Sequence, residues 1–270
     1  EMRAQHLGSG WERARVRGSA YNTGDGHRAA LDVGAGSAGE WSGCHATPVD
    51  VVAPATGVLE LTSSMTRRSY PLGVTVNRLG RRFDDEGAGF AEQTFVKACG
   101  LILEQERGIG IQIFDNKAIH LLEGRYGQST PVEGGSIEEL AEKLPLNSTI
   151  LSATVKAFND EAHDGEYRLR ELDGRSTRTL SPPKSNWAIK IDTPPFRAYT
   201  VTGGITYTYG GPKIDSEARV LDMEDRPIPG LYAAGEIVGG IFYHNSLRAA
   251  GLMHGAAYGK LAGANAARAE

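Results

Sequence analysis

Apolar residues along this chain come in short runs broken by glycine and proline, and two patterns near the C-terminus stand out. Leu231 to Ala234 is a brief apolar run closed by Gly235 and Glu236, which reads as a strand ending in a turn that carries a carboxylate. Further on, Gly251, Gly255, Gly259 and Gly263 recur at every fourth residue, so they form one stripe along a helix. Each interior glycine costs roughly 0.8–1 kcal/mol relative to alanine, so four sacrifice about 3–4 kcal/mol and call for a close neighbour on that face. A membrane dimer stripe is excluded, because Lys260, Asn265 and Arg268 interrupt the segment and no apolar span of about 18 residues exists. Two compatible readings remain. The stripe packs on a sheet or helix, and the first turn, near Gly251 and Leu252, offers N–H groups to an electron-rich ligand atom.

Upstream, Asn22 to Gly26 is a tight turn feeding a short helix from His27 to Val33, with Asp25 placed to favour the helix dipole. Val74 to Asn77 predicts a strand, Arg78 to Arg81 a turn, Phe90 to Gln105 an amphipathic helix and Ile111 to Phe114 another strand. Ser136 caps a helix through Lys143, with Glu139 spaced for a capping box, and a further helix starts at Asn147 or Ser148 and ends near Gly165. An Arg- and Ser-rich stretch follows, then Pro182-Pro183 and Pro194-Pro195 mark a return crossing. The simplest architecture is an α/β domain built from residues 1–47 and 196–270, interrupted by an α+β insertion at 48–195.

A chain of 270 residues can bury more than one core. Its net charge of −4 and pI near 6.0, without a dense basic run, argue against a nucleic-acid surface. Thirty-five glycines, well above the usual share, suit a backbone that approaches a cofactor at several places. Cys44 and Cys99 have no metal-ligand spacing, and no secretory signal or transmembrane segment is visible, so the cytoplasm is expected. Because the first residue is Glu1, a fragment, a processed product or a trimmed form is expected.

Several motifs occur in order: Thr23 to Gly26, Trp41 to His45, Gly80 to Phe83 with Glu86, Gly203 to Gly211, Leu231 to Glu236, and Gly240 to Asn245. Together they resemble the fumarate reductase/succinate dehydrogenase flavoprotein superfamily, and within it the FAD-dependent tricarballylate dehydrogenase branch. The resemblance implies a Rossmann-type FAD-binding domain with a capping domain at 48–195. It also implies FAD as cofactor, a small carboxylic acid as substrate, and hydride transfer between flavin N5 and a C–C bond beside the carboxylate. Gly235 and Glu236 would hold the sugar part of FAD, Gly251 and Leu252 would put N–H groups at the N1/O2 edge, and Thr23, Gly24, Asp25 and Gly26 would line the flavin's other side.

For the substrate, the resemblance implies His45 as a carboxylate ligand; Thr206, Glu86 and Arg248 are further candidate ligands, and His45, Tyr207, His244 and Arg248, three of them expected in loops, form the candidate catalytic set. Glu86 has a second reading, an internal ion pair with Arg81 or Arg82. Tyr207, Tyr209 and Tyr243 can serve the proton or simply pack. Members of the superfamily begin with a strand–GxGxxG–helix unit that grips the FAD diphosphate. Nothing like it occurs here, so the chain resembles the C-terminal part of a member, the other half being missing or supplied by a separate chain. Aligned without gaps, Ser246 stands where a substrate-clamping arginine is expected, with Arg248 two residues on. Two alternatives therefore stand beside the carboxylate reading: an enone or 3-ketosteroid substrate, and a non-catalytic, partner-dependent subunit.

Overall fold

The computed structural model describes residues 2–58, 60, 61, 63–144, 146–247 and 249–268. The helices are α1 (Met2–Leu7), α2 (Asp25–Asp32), α3 (Ala91–Glu104), α4 (Asn116–Ile119), α5 (Ile137–Lys143), α6 (Ser148–Glu161) and α7 (Ala250–Ala266). The strands are β1 (Arg15–Val16), β2 (Ser37–Ala38), β3 (Cys44–Asp50), β4 (Val74–Val76), β5 (Gly110–Phe114) and β6 (Val132–Gly134). They continue with β7 (Phe196–Thr208), β8 (Gly211–Pro212), β9 (Arg219–Leu221) and β10 (Pro227–Tyr232). The result is a mixed α/β protein in two compact units. One comprises residues 1–12, 18–45 and 205–270, the other 13–17 and 46–204.

The larger unit is organised by β7. It pairs with β1, β3, β5 and β6, and β4 adds to β5. All five residues of β5 are buried, as expected for a central strand covered on both faces. Val74, Val76, Ile111 and Ile113 from this sheet pack with Leu140 of α5 and with Leu151, Val155 and Phe158 of α6. Local signals fix the helix starts: Ser136 accepts a hydrogen bond from the Glu139 N–H, and Asn147 accepts one from the Ile150 N–H. α6 stops at Glu161, short of the expected end near Gly165, because His163 leaves the helix to donate its N–H to the Ala188 carbonyl at 2.7 Å. A buried ion pair ties the unit further. Arg67 meets Asp50 at 3.1 Å, and its remaining N–H groups reach Ser129 and the Thr66 and Arg125 carbonyls.

The unit boundaries fall at 45/46 and 204/205 rather than at 47/48 and 195/196, and residues 13–17 join the larger unit. Hydrogen bonding explains the difference. β1 pairs with β7, and the first part of β7 pairs residue by residue with β5 and β6.

In the smaller unit, β2 pairs with β8 and β9 with β10, both antiparallel. The strand expected at Leu231 to Ala234 is β10, which starts at Pro227 and ends at Tyr232 because its partners lie on β9. The loop after it lies backbone to backbone against the β2–β8 pair. A Cβ on Gly211 would sit 1.9 Å from the Ile237 carbonyl oxygen, and one on Gly239 would sit 2.1 Å from that of Ala38. Only glycine allows this approach, and it fixes where the residues after Glu236 go.

Candidate functional site

Three side chains meet in the smaller unit. His45 is the second residue of β3, Tyr207 lies near the end of β7, and Ser246 precedes α7. The Tyr207 hydroxyl donates to Ser246 Oγ at 2.8 Å, and Ser246 Oγ lies 3.2 Å from His45 Nδ1. The His45 and Tyr207 rings stack at 4.9 Å with 16° between planes, so packing and hydrogen bonding hold the same pair. Phe242 backs them, its ring 5.6 Å from both Tyr207 and Tyr209.

Tyr209 is buried and its hydroxyl has no hydrogen-bond partner among the described residues; Ser246 lies nearby, outside hydrogen-bonding geometry. Burial pushes the Tyr209 pKa well above the ordinary value, so the group is a neutral O–H donor at physiological pH. A buried hydroxyl left unsatisfied costs about 1–3 kcal/mol, which marks Tyr209 as a group able to serve a ligand.

A second cluster surrounds the turn after β10. Gly235 has φ +85°, a left-handed conformation that suits glycine, and its N–H donates to His254 Nδ1 on α7 at 3.1 Å. A Cβ on Gly251 would lie 3.8 Å from Glu236 Cβ, so the start of α7 and Glu236 are neighbours. Ala249 precedes the helix with φ +60° and no side chain caps it, which leaves first-turn N–H groups for another acceptor. Glu236 is exposed as a residue, yet enough protein surrounds its carboxyl for desolvation to raise its pKa.

The structure brings several of the expected residues together. The Thr23–Gly26 turn reaches the same place, since a Cβ on Gly26 would fall 2.7 Å from Ile237 Cδ1. Within it Asp25 accepts from Thr23 and Arg28, which lower its pKa. Leu252 is exposed and Thr206 is partly buried beside Tyr207. His244 has its side chain 89% exposed and beside Glu40, whose carboxylate accepts the His244 N–H at 2.6 Å. Glu86 follows its second reading: it is buried in the larger unit, accepts the Thr75 N–H and pairs with Arg82 at 2.5 Å. Arg248 lies outside the described residues.

Ser246 and His254 escaped the sequence reading as site residues, and for Tyr209 that reading left proton transfer and simple packing both open. The mismatch at Ser246 against the expected arginine was the available signal. His254 carried none, because its partner is a backbone amide. Among the described residues no group of three or more His, Cys, Asp or Glu side chains is placed to hold a metal ion. Nor is any helix long and apolar enough to cross a membrane.

Comparison with known proteins bears on this geometry. The family described as FAD binding domain matches residues 2–252. A probable fumarate reductase of Shewanella frigidimarina is 32% identical over 198 residues, covering 72% of this chain and 31% of that protein. The chain thus spans about a third of the length of that curated relative. Among solved structures, the open conformation of a flavocytochrome c3 fumarate reductase aligns with a TM-score of 0.68 at 25% identity, over 99% of this chain and 43% of that one. A 3-ketosteroid Δ1-dehydrogenase from Sterolibacterium denitrificans aligns at 0.69 and 25% identity, over 100% of this chain and 51% of that one.

The donor set around Glu236 fits FAD. An uncapped helix start offers N–H groups, Glu236 offers a carboxylate that no described side chain engages, and the glycine turns let backbone come close. Such a set suits a ligand that has sugar hydroxyls and an electron-rich ring edge.

Proposed function

Because this chain belongs to the family described as FAD binding domain, matched from residue 2 to residue 252, we propose that it forms part of an FAD-dependent oxidoreductase. Its substrate is a small molecule whose C–C bond lies beside a carboxylate or carbonyl group. When bound, FAD accepts or supplies the hydride. Glu236, the start of α7 and the Thr23–Gly26 turn would hold the cofactor, with Glu236 accepting sugar hydroxyls. His45 and Thr206 would bind a substrate oxygen, and Arg248 would bind a carboxylate as a bidentate partner. Tyr207, joined to His45 through Ser246, would give or take the proton that accompanies hydride transfer. Stabilising the charge that develops on the substrate oxygen during that transfer is what accelerates the step.

The observation that carries this reading is the His45–Ser246–Tyr207 chain, which ends a few residues before an uncapped helix start adjoining Glu236. The test uses full-length protein loaded with FAD and its visible absorbance. Bleaching or re-oxidation by succinate, tricarballylate, fumarate or an enone supports the reading, and a flavin indifferent to all of them discards it. A folded protein that takes up no FAD and stays colourless would favour a non-catalytic subunit instead.

A second reading, a neutral enone or ketone substrate, rests on the Tyr209 hydroxyl, because a buried neutral O–H suits a carbonyl oxygen better than a carboxylate needs. The variant Arg248→Ala separates the two. A loss of kcat/KM of a hundredfold or more, about 3 kcal/mol, favours a carboxylate substrate; near-normal turnover favours a neutral one. A reducing compartment such as the cytoplasm fits Cys44 and Cys99, both buried and reduced.

A further inference from the structure

Resting on the reading that Glu236 belongs to an FAD site, we propose that His254 is a positioning residue, a proton-sensitive latch between α7 and the Gly235–Glu236 turn that sets FAD affinity. The geometry is specific. A backbone N–H can only donate, so the 3.1 Å contact from Gly235 N–H makes His254 Nδ1 the acceptor. The ring is therefore neutral, with its hydrogen on Nε2. Its orientation is fixed from the other side by Tyr258, one turn along α7, which stacks on it at 4.3 Å and 8°. The two glycines beneath the bond are in direct contact, a Cβ on Gly255 lying 3.5 Å from Gly235 Cα. No other described group accepts the Gly235 N–H, so losing this bond frees the residue before Glu236 from the helix whose first turn adjoins it.

Protonation breaks the latch, because Nδ1–H would face N–H, donor against donor. The groups that can carry charge beside this contact are Glu236, next to Gly235 on the turn, and Tyr258, whose ring stacks on His254. Neither of them is the cause of its shifted titration. Burial alone lowers the His254 pKa from 6.5, which favours the neutral, latched ring. The sign follows: the latch is closed above pH 6.5 and opens as pH falls through the lowered folded value.

The test is a titration of FAD into full-length apoprotein, read by flavin fluorescence at about pH 8 and about pH 5, on either side of the ordinary histidine value. Kd should rise about tenfold between the two in the parent, the worth of roughly one hydrogen bond. His254→Ala should bind about tenfold more weakly at the higher pH and show no such dependence. His254→Asn places an amide oxygen where Nδ1 was, so it should restore the affinity while keeping it flat with pH. A merely structural histidine would not give that pairing. Amide hydrogen exchange at Gly235, without FAD, reads the latch directly: protection should fall in His254→Ala and return in His254→Asn. Unchanged protection at Gly235, or a pH dependence that survives in both variants, overturns the proposal. Protection that responds as expected in a protein that never binds FAD keeps the latch and discards the FAD reading.

Discussion

Ser246 accepts from Tyr207 and adjoins His45 Nδ1, so one small hydroxyl sets how both larger groups are held. Replacing it with alanine removes two contacts without disturbing a packed core. We expect Ser246→Ala to lower kcat about tenfold and displace the pH–rate profile, whereas Ser246→Thr keeps most activity. A variant with parental kcat and profile would remove Ser246 from the mechanism. Asp84 shows a different effect of environment. Its carboxyl is buried near Glu86, and desolvation raises its pKa from 3.8 to about 6. Between those values the folded state keeps a proton that the unfolded state has lost. The stabilising contribution is therefore full below pH 3.8 and is lost as pH rises through about 6. At neutral pH the charge is a burden, so Asp84→Asn should stabilise the protein by about 1–3 kcal/mol, a gain that vanishes at acid pH. Urea unfolding across that pH range checks both the sign and its disappearance.

At the level of elements, α7 answers the question that its glycines raised. Gly251 and Gly255 adjoin Glu236 and Gly235 at ordinary contact distance, whereas Gly259 and Gly263 would meet nothing within 4 Å among the described residues. Among the described residues, the close neighbour that the spacing called for is found along the first half of the stripe. Gly259→Ala should then raise stability by about 0.8–1 kcal/mol, the intrinsic helix preference, as read by thermal melting of this chain. A destabilised variant would mean that something packs on that face. The other helices needed less tertiary help to be found, since α3, α5 and α6 follow from apolar spacing and from the Ser136 and Asn147 caps.

Across the whole molecule, short-range signals and long-range contacts divided the information. Periodicity, caps and turn residues are properties of ten or fifteen neighbours, so they placed most elements within a few residues of where they lie. Motif order carried the family, which the match over residues 2–252 establishes. The Arg82–Glu86 pair was open to reading because its partners are four residues apart in the chain, although its complete burial was not. The site depended on folding. His45 and Ser246 are 201 positions apart, and Tyr207 and Ser246 are 39 apart, so no local pattern links them. The same holds for the unit boundaries, which β7 settles through its hydrogen-bonded partners rather than through the prolines beside it. The sequence by itself determined the elements, the glycine turns and the kinship, because those are encoded along the chain. Only the tertiary structure decided that Glu86 is internal, that Tyr209 lacks a partner and that His254 holds Gly235. Burial and hydrogen-bond geometry exist only once distant segments have packed.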